Sequence, residues 1–194
     1  SFINKRNLLK SMLSIIIPAF NEEKYLPRLL DSIKKQTYKN YEIIIADAYS
    51  KDNTRKIGKK YGCRIVKGGM PSVGRNNGAK AANGNILLFF DADSQVNNDF
   101  LENALYWMKE KNIDVGGSYL YPMTNNILDK VFMSVFNAWI FFTQCFYPNA
   151  CGTGIFCKKW LHKKINGFDE SIKLGEDMDY VKRCSKHGKF RILE

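Results

Sequence analysis

The fold of this chain is decided by one stretch, Gly84–Gln95, which reads GNILLFFDADSQ. Five consecutive apolar residues, Ile86 to Phe90, predict a strand that is buried on both faces. The strand is followed by two carboxylates, Asp91 and Asp93, with one small residue between them. Both acids are therefore predicted at the carboxyl end of a central strand, which is the edge that binds ligands in open α/β sheets.

An Asp-x-Asp pair at this edge has two interpretations. It can supply hard oxygen ligands to Mg²⁺ or Mn²⁺, and the metal ion can then hold the oxygens of a diphosphate. Alternatively, Asp91 is a turn residue, and Asp93 or Ser94 caps a helix that begins near Asn98. The spacing alone leaves both interpretations open.

Length and composition predict one globular domain with a polyanionic partner. The chain has 194 residues, of which 45% are hydrophobic and 25% are charged, and its formal net charge is +11. Such a charge suits a nucleotide diphosphate, an anionic lipid surface or a nucleic acid. No nucleic-acid motif accompanies the lysines, so we expect no nucleic-acid partner.

The N-terminal residues 1–12 are interpreted as a lead-in or a remnant of cloning.

The five cysteines show no Cys-x-x-Cys spacing, and no secretory signal precedes them. Free thiols in a reducing cytosol are expected, although a bridge between Cys151 and Cys157 stays open.

Strands and helices are predicted to alternate along the chain, which is typical of βαβ units and a largely parallel sheet. Pro18 is predicted to stop the first strand, and Asn21 is predicted to cap the helix that follows. Further strands are predicted at 41–46, 64–66, 86–90 and 113–120, and helices at 52–61, 73–82, 100–111, 158–165 and from Gly175 to Gly188.

An uncharged run extends from Val131 to Cys157. Its first part has helical apolar spacing, but the run is too short and too often interrupted by polar residues for a membrane span. Three interpretations stay open: a core helix, a subunit interface or a membrane-surface helix. Peripheral membrane contact and a homo-oligomer through 127–147 therefore both stay open.

Seven motifs, taken together, resemble glycosyltransferase family 2, and the weakest match lies between Leu120 and Tyr147. The motifs are Pro18-Ala19-Phe20-Asn21-Glu22-Glu23, Asp47 with Ser50 and Asp52, Arg75-Asn76-x-Gly78, Asp91-Ala92-Asp93, Gly152-Thr153-Gly154, Gly167-Phe168-Asp169-Glu170 and Gly175-Glu176-Asp177. The resemblance implies an α/β GT-A fold: a Rossmann-like, mostly parallel sheet flanked by helices in a single domain, residues 13–194. Residues 13–95 would form the nucleotide-sugar half and residues 96–194 the acceptor half, and the interpretation that a C-terminal segment is missing stays open.

The resemblance also implies a nucleotide-sugar site. Pro18, Phe20 and Glu22 would line the base and ribose, and Asp47 would recognise the base. The sequence departs from the family at Ala46-Asp47-Ala48-Tyr49-Ser50, where the family commonly has Gly or Asp-Gly beside the acid. Tyr49 would stack on the base or narrow the pocket.

The same resemblance implies a diphosphate and metal site next to the nucleotide. Arg75, at the start of a helix, would neutralise phosphate charge. Asp91 and Ala92 would contact the nucleotide sugar. Asp93 would bind Mg²⁺ or Mn²⁺ directly, and Asp91 would approach the same ion.

In the acceptor half, the resemblance implies that Asp177 is the general base and that Glu176 orients the acceptor. The competing interpretation is that both acids only favour the start of a helix. His162 and His187 lie among lysines, so both are predicted on exposed helix faces without a role.

The implied activity is an inverting glycosyltransferase with a UDP- or GDP-linked donor and a hydroxyl acceptor on a glycan or a lipid-linked sugar. It would work in the cytoplasm, with the inner membrane surface as one place for it. The alternatives are a polyprenyl-phosphate glycosyltransferase, a sugar nucleotidylyltransferase, or a non-catalytic nucleotide-binding or membrane-scaffold domain. A nucleotidylyltransferase would have a glycine-rich loop after the first strand, where this chain has Pro18-Ala19-Phe20-Asn21.

Overall fold

A computed structural model describes residues 11–119, 126–144, 146–150 and 153–193. The predictions that concern residues 1–10, Leu120, Cys151 and Gly152 lie outside the described residues. In chain order the elements are β1 (Leu13–Ala19), α1 (Leu26–Lys34), β2 (Tyr41–Asp47), α2 (Thr54–Lys60), β3 (Arg64–Lys67), α3 (Pro71–Ala81), β4 (Ile86–Phe89), α4 (Phe100–Glu110), β5 (Val115–Ser118), α5 (Ile127–Thr143), β6 (Ile155–Lys158), α6 (Lys159–Lys164), α7 (Glu176–Ser185) and β7 (Phe190–Leu193).

The described strands form one sheet in the order β3-β2-β1-β4-β6-β5-β7. Among the described strands, only β6 runs antiparallel to its two neighbours, so the prediction of a mostly parallel α/β sheet is confirmed. Apolar side chains of α1, α2 and α4 pack on one face, and those of α3, α6 and α7 pack on the other. Central strands covered on both sides need apolar residues throughout, which explains the continuous run in β4.

The prediction that Pro18 stops the first strand is wrong, because β1 continues to Ala19. The Ile16 carbonyl accepts a hydrogen bond from the backbone N–H of Phe90, on the β4 side of β1. Pro18 is two residues further along the strand, so its backbone nitrogen also faces β4. The pairing of β1 with β4 ends at the Ile16–Phe89 pair. Pro18 therefore lies past the last pair on that side, where a missing N–H costs no ladder hydrogen bond.

Two further predictions are corrected at element ends. Asn21 does not cap α1, which begins at Leu26. Instead, the Asn21 backbone is left-handed, with φ of 57°, and its Oδ1 accepts a hydrogen bond from the Lys51 N–H. Neither Asp93 nor Ser94 caps α4, which begins after Asp99. The strand β7 was not predicted.

Helix α5 is not a core helix. Of its side chains whose burial is described, Ile140 alone is buried, and many large apolar side chains are exposed. Hydrophobic periodicity shows that a helix has an apolar stripe, but it does not say whether another element covers that stripe. Within the described part of the chain, no helix has the length and apolar character needed to cross a bilayer.

His162 is buried, which overturns the prediction of an exposed residue. Its Nδ1 lies 3.0 Å from the Tyr180 hydroxyl, and its ring packs against Phe89 and Phe168. The pKa of His162 is lowered from its usual 6.5 to about 4, mainly by burial and also by the positive charges of Arg183 and Lys159.

This histidine should make the fold sensitive to acid. The unfolded chain binds a proton at His162 below about pH 6.5, whereas the folded chain resists protonation until about pH 4. Its contribution to stability is therefore complete above pH 6.5 and is lost as the pH falls towards 4. Between pH 7 and 5 the free energy of unfolding should fall by roughly 2 kcal/mol from this residue alone.

Urea unfolding at both pH values checks this expectation. His162→Gln should flatten the pH dependence, whatever it does to the absolute stability. His187→Gln, a change at an exposed residue, should leave the parental slope unchanged. Equal slopes for the parental protein and His162→Gln would show that the buried histidine does not set the acid sensitivity.

Candidate active site

The candidate site is built on three parallel strands that end at one edge of the sheet. β1, β2 and β4 are neighbours, so the loops that follow them meet there. The first two loops are joined by hydrogen bonds: the Ala48 N–H donates to the Ala19 carbonyl at 2.8 Å, and the Asn21 N–H donates to Ser50 Oγ at 2.9 Å. The region predicted to bind the base is thus one connected surface.

Side chains of the second loop also fix the main chain of the first. The Glu22 N–H donates to Thr54 Oγ1 at 2.8 Å, and the Glu23 N–H donates to Asp52 Oδ2 at 3.0 Å. The Glu22 carboxylate itself accepts no hydrogen bond from a described residue. It is therefore held beside the crevice by its backbone, with its oxygens available to a ligand.

Asp47, the last residue of β2, is 5% exposed. Its Oδ2 accepts a hydrogen bond from the Ser50 N–H at 3.2 Å and lies 3.6 Å from Arg55 Nε. Its Oδ1 is buried and has no hydrogen-bond partner among the described residues. Buried polar atoms are nearly always hydrogen-bonded, so this oxygen can accept a hydrogen bond from a bound ligand.

Arg75, on α3, links the two halves of the chain. Its side chain is 3% exposed, with Nη2 2.8 Å from Asp91 Oδ1 and Nη1 2.7 Å from Glu176 Oε1. Its guanidinium also lies over the Phe168 ring, 5.4 Å from the centroid. The prediction that Arg75 binds phosphate stays a prediction, and in this structure both Nη atoms are engaged by carboxylates.

Gly78 allows α3 to lie close enough to the sheet for Arg75 to contact Asp91 and Glu176. A Cβ at Gly78 would lie 2.4 Å from Cγ2 of Ile16, so a larger residue there would push the helix away from β1. The spacing Arg75-Asn76-x-Gly78 therefore places the arginine and the close-approach residue on consecutive turns.

Asn76 and Phe168 set the position of α7. Asn76 Oδ1 accepts from the Phe168 N–H at 2.8 Å, and its Nδ2 donates to the Phe168 carbonyl at 2.9 Å. The Phe168 ring stacks on Tyr180 of α7 with centroids 3.9 Å apart. This packing holds the first turn of α7, with Glu176 and Asp177, beside Arg75.

Four carboxylates border the crevice and repel one another: those of Glu22, Asp91, Asp93 and Asp177. Burial raises the pKa of Asp91 against the opposing effect of Arg75, and the charges of Asp93 and Asp177 raise it further. Burial also raises the pKa of Glu22, with additional contributions from Asp93, Asp52 and Asp91. The acids of the first loop, the Asp-x-Asp loop and α7 are therefore close enough to interact.

The Asp-x-Asp loop is held by residues that the sequence did not single out for this purpose. Arg28 of α1 donates through Nη2 to the Asp93 carbonyl at 2.7 Å, and Ser94 Oγ lies 2.5 Å from Thr153 Oγ1. Ala92 is buried, whereas Asp93 is exposed and its carboxylate pairs with no described residue. No local sequence signal marks Arg28, since its partner lies 65 residues away.

A divalent cation fits the donor set at this loop. Among residues 11–119, 126–144, 146–150 and 153–193, no three His, Cys, Asp or Glu side chains are arranged to bind a metal ion. Two carboxylates from one loop, one of them unpaired, are nevertheless the usual protein contribution to a Mg²⁺ site that is completed by substrate phosphates and water.

The family model of glycosyl transferase family 2 matches residues 14–166, which is most of the chain. The chain belongs to glycosyltransferase family 2. The family prediction is therefore confirmed, and the interpretation of the chain as a sugar nucleotidylyltransferase loses its support.

Curated relatives share parts of the sequence. The Staphylococcus aureus poly(ribitol-phosphate) beta-N-acetylglucosaminyltransferase TarS is 33% identical over 112 residues, which is 53% of this chain and 20% of TarS. An uncharacterized glycosyltransferase of Rickettsia typhi is 30% identical over 195 residues, which is 90% of this chain and 59% of the relative. The chain thus spans less than two thirds of these family 2 relatives.

Solved structures show the same fold. The crystal structure of S. aureus TarS 1–349 with UDP-GlcNAc has a TM-score of 0.74 and 24% identity, over 94% of this chain and 55% of that one. The Pyrobaculum calidifontis mannosyltransferase PcManGT with GDP-Man and Mn²⁺ has a TM-score of 0.74 and 18% identity, and the match covers 99% of this chain and 62% of PcManGT. These structures confirm the GT-A fold of this family 2 chain.

Proposed function

We propose that this chain transfers a sugar from a UDP- or GDP-linked donor to an acceptor hydroxyl, with inversion at the anomeric carbon. The observation that carries the proposal is the Arg75 guanidinium, which binds Asp91 on one side and Glu176 on the other. It connects the predicted metal loop to the predicted base-bearing helix, and its partner Glu176 lies 101 residues further along the sequence. A donor and an acceptor can therefore meet on one preorganised site.

The base of the donor would bind at the ends of β1 and β2. The unpaired Asp47 Oδ1 suits a ring N–H, which both uracil and guanine present. Phe20, 59% exposed, and Pro18 offer flat apolar surfaces, and the Glu22 carboxylate can accept ribose hydroxyls. The complexes of the two structural neighbours with UDP-GlcNAc and with GDP-Man support this assignment.

Asp93 and Asp91 would hold the metal ion, and Mg²⁺ and Mn²⁺ suit their oxygen ligands. When bound, such an ion stabilises the negative charge that develops on the departing nucleoside diphosphate. Ala92, between the two acids, is buried and packs in the hydrophobic core beneath the loop that presents them. The mutual repulsion of the carboxylates around the crevice is what a dication would relieve.

Asp177 would act as the general base. It takes the proton of the acceptor hydroxyl while the acceptor oxygen forms a bond to the anomeric carbon. The bond from that carbon to the diphosphate oxygen breaks, and its electron pair leaves with the nucleoside diphosphate. Attack from the face opposite the leaving group inverts the configuration. Glu176, held by Arg75, would orient the acceptor.

A polyprenyl-phosphate acceptor is the second candidate. The exposed apolar residues of α5 favour it, because they could accommodate a lipid chain. A phosphate acceptor is already anionic near neutral pH and needs no base, so the two candidates differ in their dependence on Asp177. The convergence of four carboxylates supports either enzyme over a non-catalytic scaffold.

A panel of nucleotide sugars tests the proposed reaction. The protein is incubated with Mn²⁺, each donor and hydroxyl acceptors, and release of nucleoside diphosphate is measured. We expect release from at least one UDP- or GDP-linked sugar. Parallel incubations contain pyrophosphate in place of the acceptor. Formation of nucleoside triphosphate there, without release of nucleoside diphosphate or sugar transfer from any donor, would contradict the proposal.

Replacing Asp47 should weaken donor binding. Asp47→Ala removes a charged acceptor, and hydrogen bonds to charged groups are worth about 1.5–3 kcal/mol, so affinity for the nucleoside diphosphate should fall roughly tenfold or more. Calorimetric titration measures this change, and thermal unfolding checks that the variant is folded. Asp31→Ala, an exposed acid on α1, should bind like the parental protein. Unchanged affinity in Asp47→Ala would move the base site elsewhere.

A further inference from the structure

Helix α5 carries an apolar stripe that faces away from the protein. The large exposed side chains of the stripe are Ile127, Leu128, Val131, Phe132, Val135, Trp139 and Phe142. With 3.6 residues per turn, these positions occupy about 140° of the helix circumference and extend about 22 Å along it. Their exposed fractions range from 44% to 76%. A patch of this size marks an interaction surface.

The opposite side of α5 attaches the helix to the body of the protein. Ile140 is buried in the core, Phe136 packs against it, and Gln144 Oε1 accepts a hydrogen bond from the Ile192 N–H at 3.1 Å. These contacts fix the rotation of the helix. The stripe is therefore an outward surface of a docked helix, and turning the helix inward would break its existing contacts.

We propose that the α5 stripe docks on an anionic lipid bilayer. A helix that lies in the bilayer interface buries one apolar face to a shallow depth, and an aromatic residue such as Trp139 is favoured at that level. The stripe offers a single apolar face without charged residues, as such docking requires.

Charge decides between a bilayer and a second copy of the chain. The net charge of +11 attracts the protein to anionic headgroups, whereas two copies would bring like charges together. An exposed cation, Lys130, also stands in the first turn of the helix. Cations beside an apolar stripe are the pattern of helices that bind anionic membranes.

Vesicle sedimentation tests the docking. The parental protein should sediment with phosphatidylcholine–phosphatidylglycerol vesicles at least about tenfold more strongly than with phosphatidylcholine alone, and added salt should weaken the binding. The double variant Phe132→Ser, Phe142→Ser should lose at least about tenfold in partitioning, since it removes two large apolar contacts. Trp160→Ser, an exposed aromatic on α6, is the matched control and should bind like the parental protein.

Two outcomes would overturn the proposal. The first is equal vesicle binding by the parental protein and the double variant. The second is a parental dimer, seen by light scattering, that the double variant dissociates while neither protein binds vesicles, since the stripe would then cover a second copy. Nucleoside diphosphate binding, measured on the same samples, reports on the proposed function separately, because the two substitutions lie outside the crevice.

Discussion

Asp177→Asn is expected to keep donor binding and to lower the rate of transfer to a hydroxyl acceptor by about 10²-fold or more, the usual scale of general-base catalysis. The amide has nearly the shape of the carboxylate but cannot take the proton. The carboxylate lies in the first turn of α7, where its Oδ1 accepts a hydrogen bond from the Met178 N–H. Single-turnover rates measure the chemical step without product release.

The matched control is Asp179→Asn. Asp179 lies in the same turn of α7, but its carboxylate pairs with Arg183 at 2.7 Å. The Asp179→Asn variant should therefore retain a near-parental rate of sugar transfer, since this carboxylate is not proposed to act as the base. Near-parental transfer by Asp177→Asn to a hydroxyl acceptor would show that Asp177 is only a helix-start acid. A large loss with hydroxyl acceptors, together with unchanged transfer to a polyprenyl phosphate, would reveal the second candidate function.

Asp93→Ala is expected to remove most of the turnover, by at least about 10²-fold, and an excess of chelator should do the same to the parental protein. The fold should not change, because Asp93 is exposed and its carboxylate makes no hydrogen bond with a described residue. Steady-state release of nucleoside diphosphate measures the effect, and thermal unfolding provides the check on folding.

Asp99→Ala is the control for this loop. Asp99 is exposed and precedes α4, six residues after Asp93, and it should keep parental activity at every metal concentration. Full activity of the parental protein in excess chelator would exclude a metal-dependent reaction. Full activity of Asp93→Ala with chelator-sensitive parental activity would assign the metal ion to other ligands.

The fold could be predicted from the sequence because local signals agree with it. The apolar run of β4, buried as predicted, and the alternation of strands with helices both require a parallel sheet with helices on two faces. β7 was missed because four residues at the end of the chain carry too little periodic signal. Its pairing with β5 depends on a contact across about 75 residues of sequence.

The candidate site could be predicted residue by residue but not as an arrangement. The motifs named Arg75, Asp91 and Glu176 separately, and only the structure shows one guanidinium bridging the two acids. The burial of His162 was predicted wrongly, and the surface position of α5 was left open among three interpretations, for one common reason. Composition describes what a side chain prefers, whereas the neighbouring elements decide whether it is covered.

The most direct test of the proposed site is the anomalous difference map of crystals grown with Mn²⁺ and either UDP or GDP. A manganese peak is expected beside Asp93 and Asp91, with the diphosphate bound to the same ion and the base against Asp47. A manganese peak away from these carboxylates, with the nucleotide bound outside the crevice between β1, β2 and α7, would contradict the proposed site.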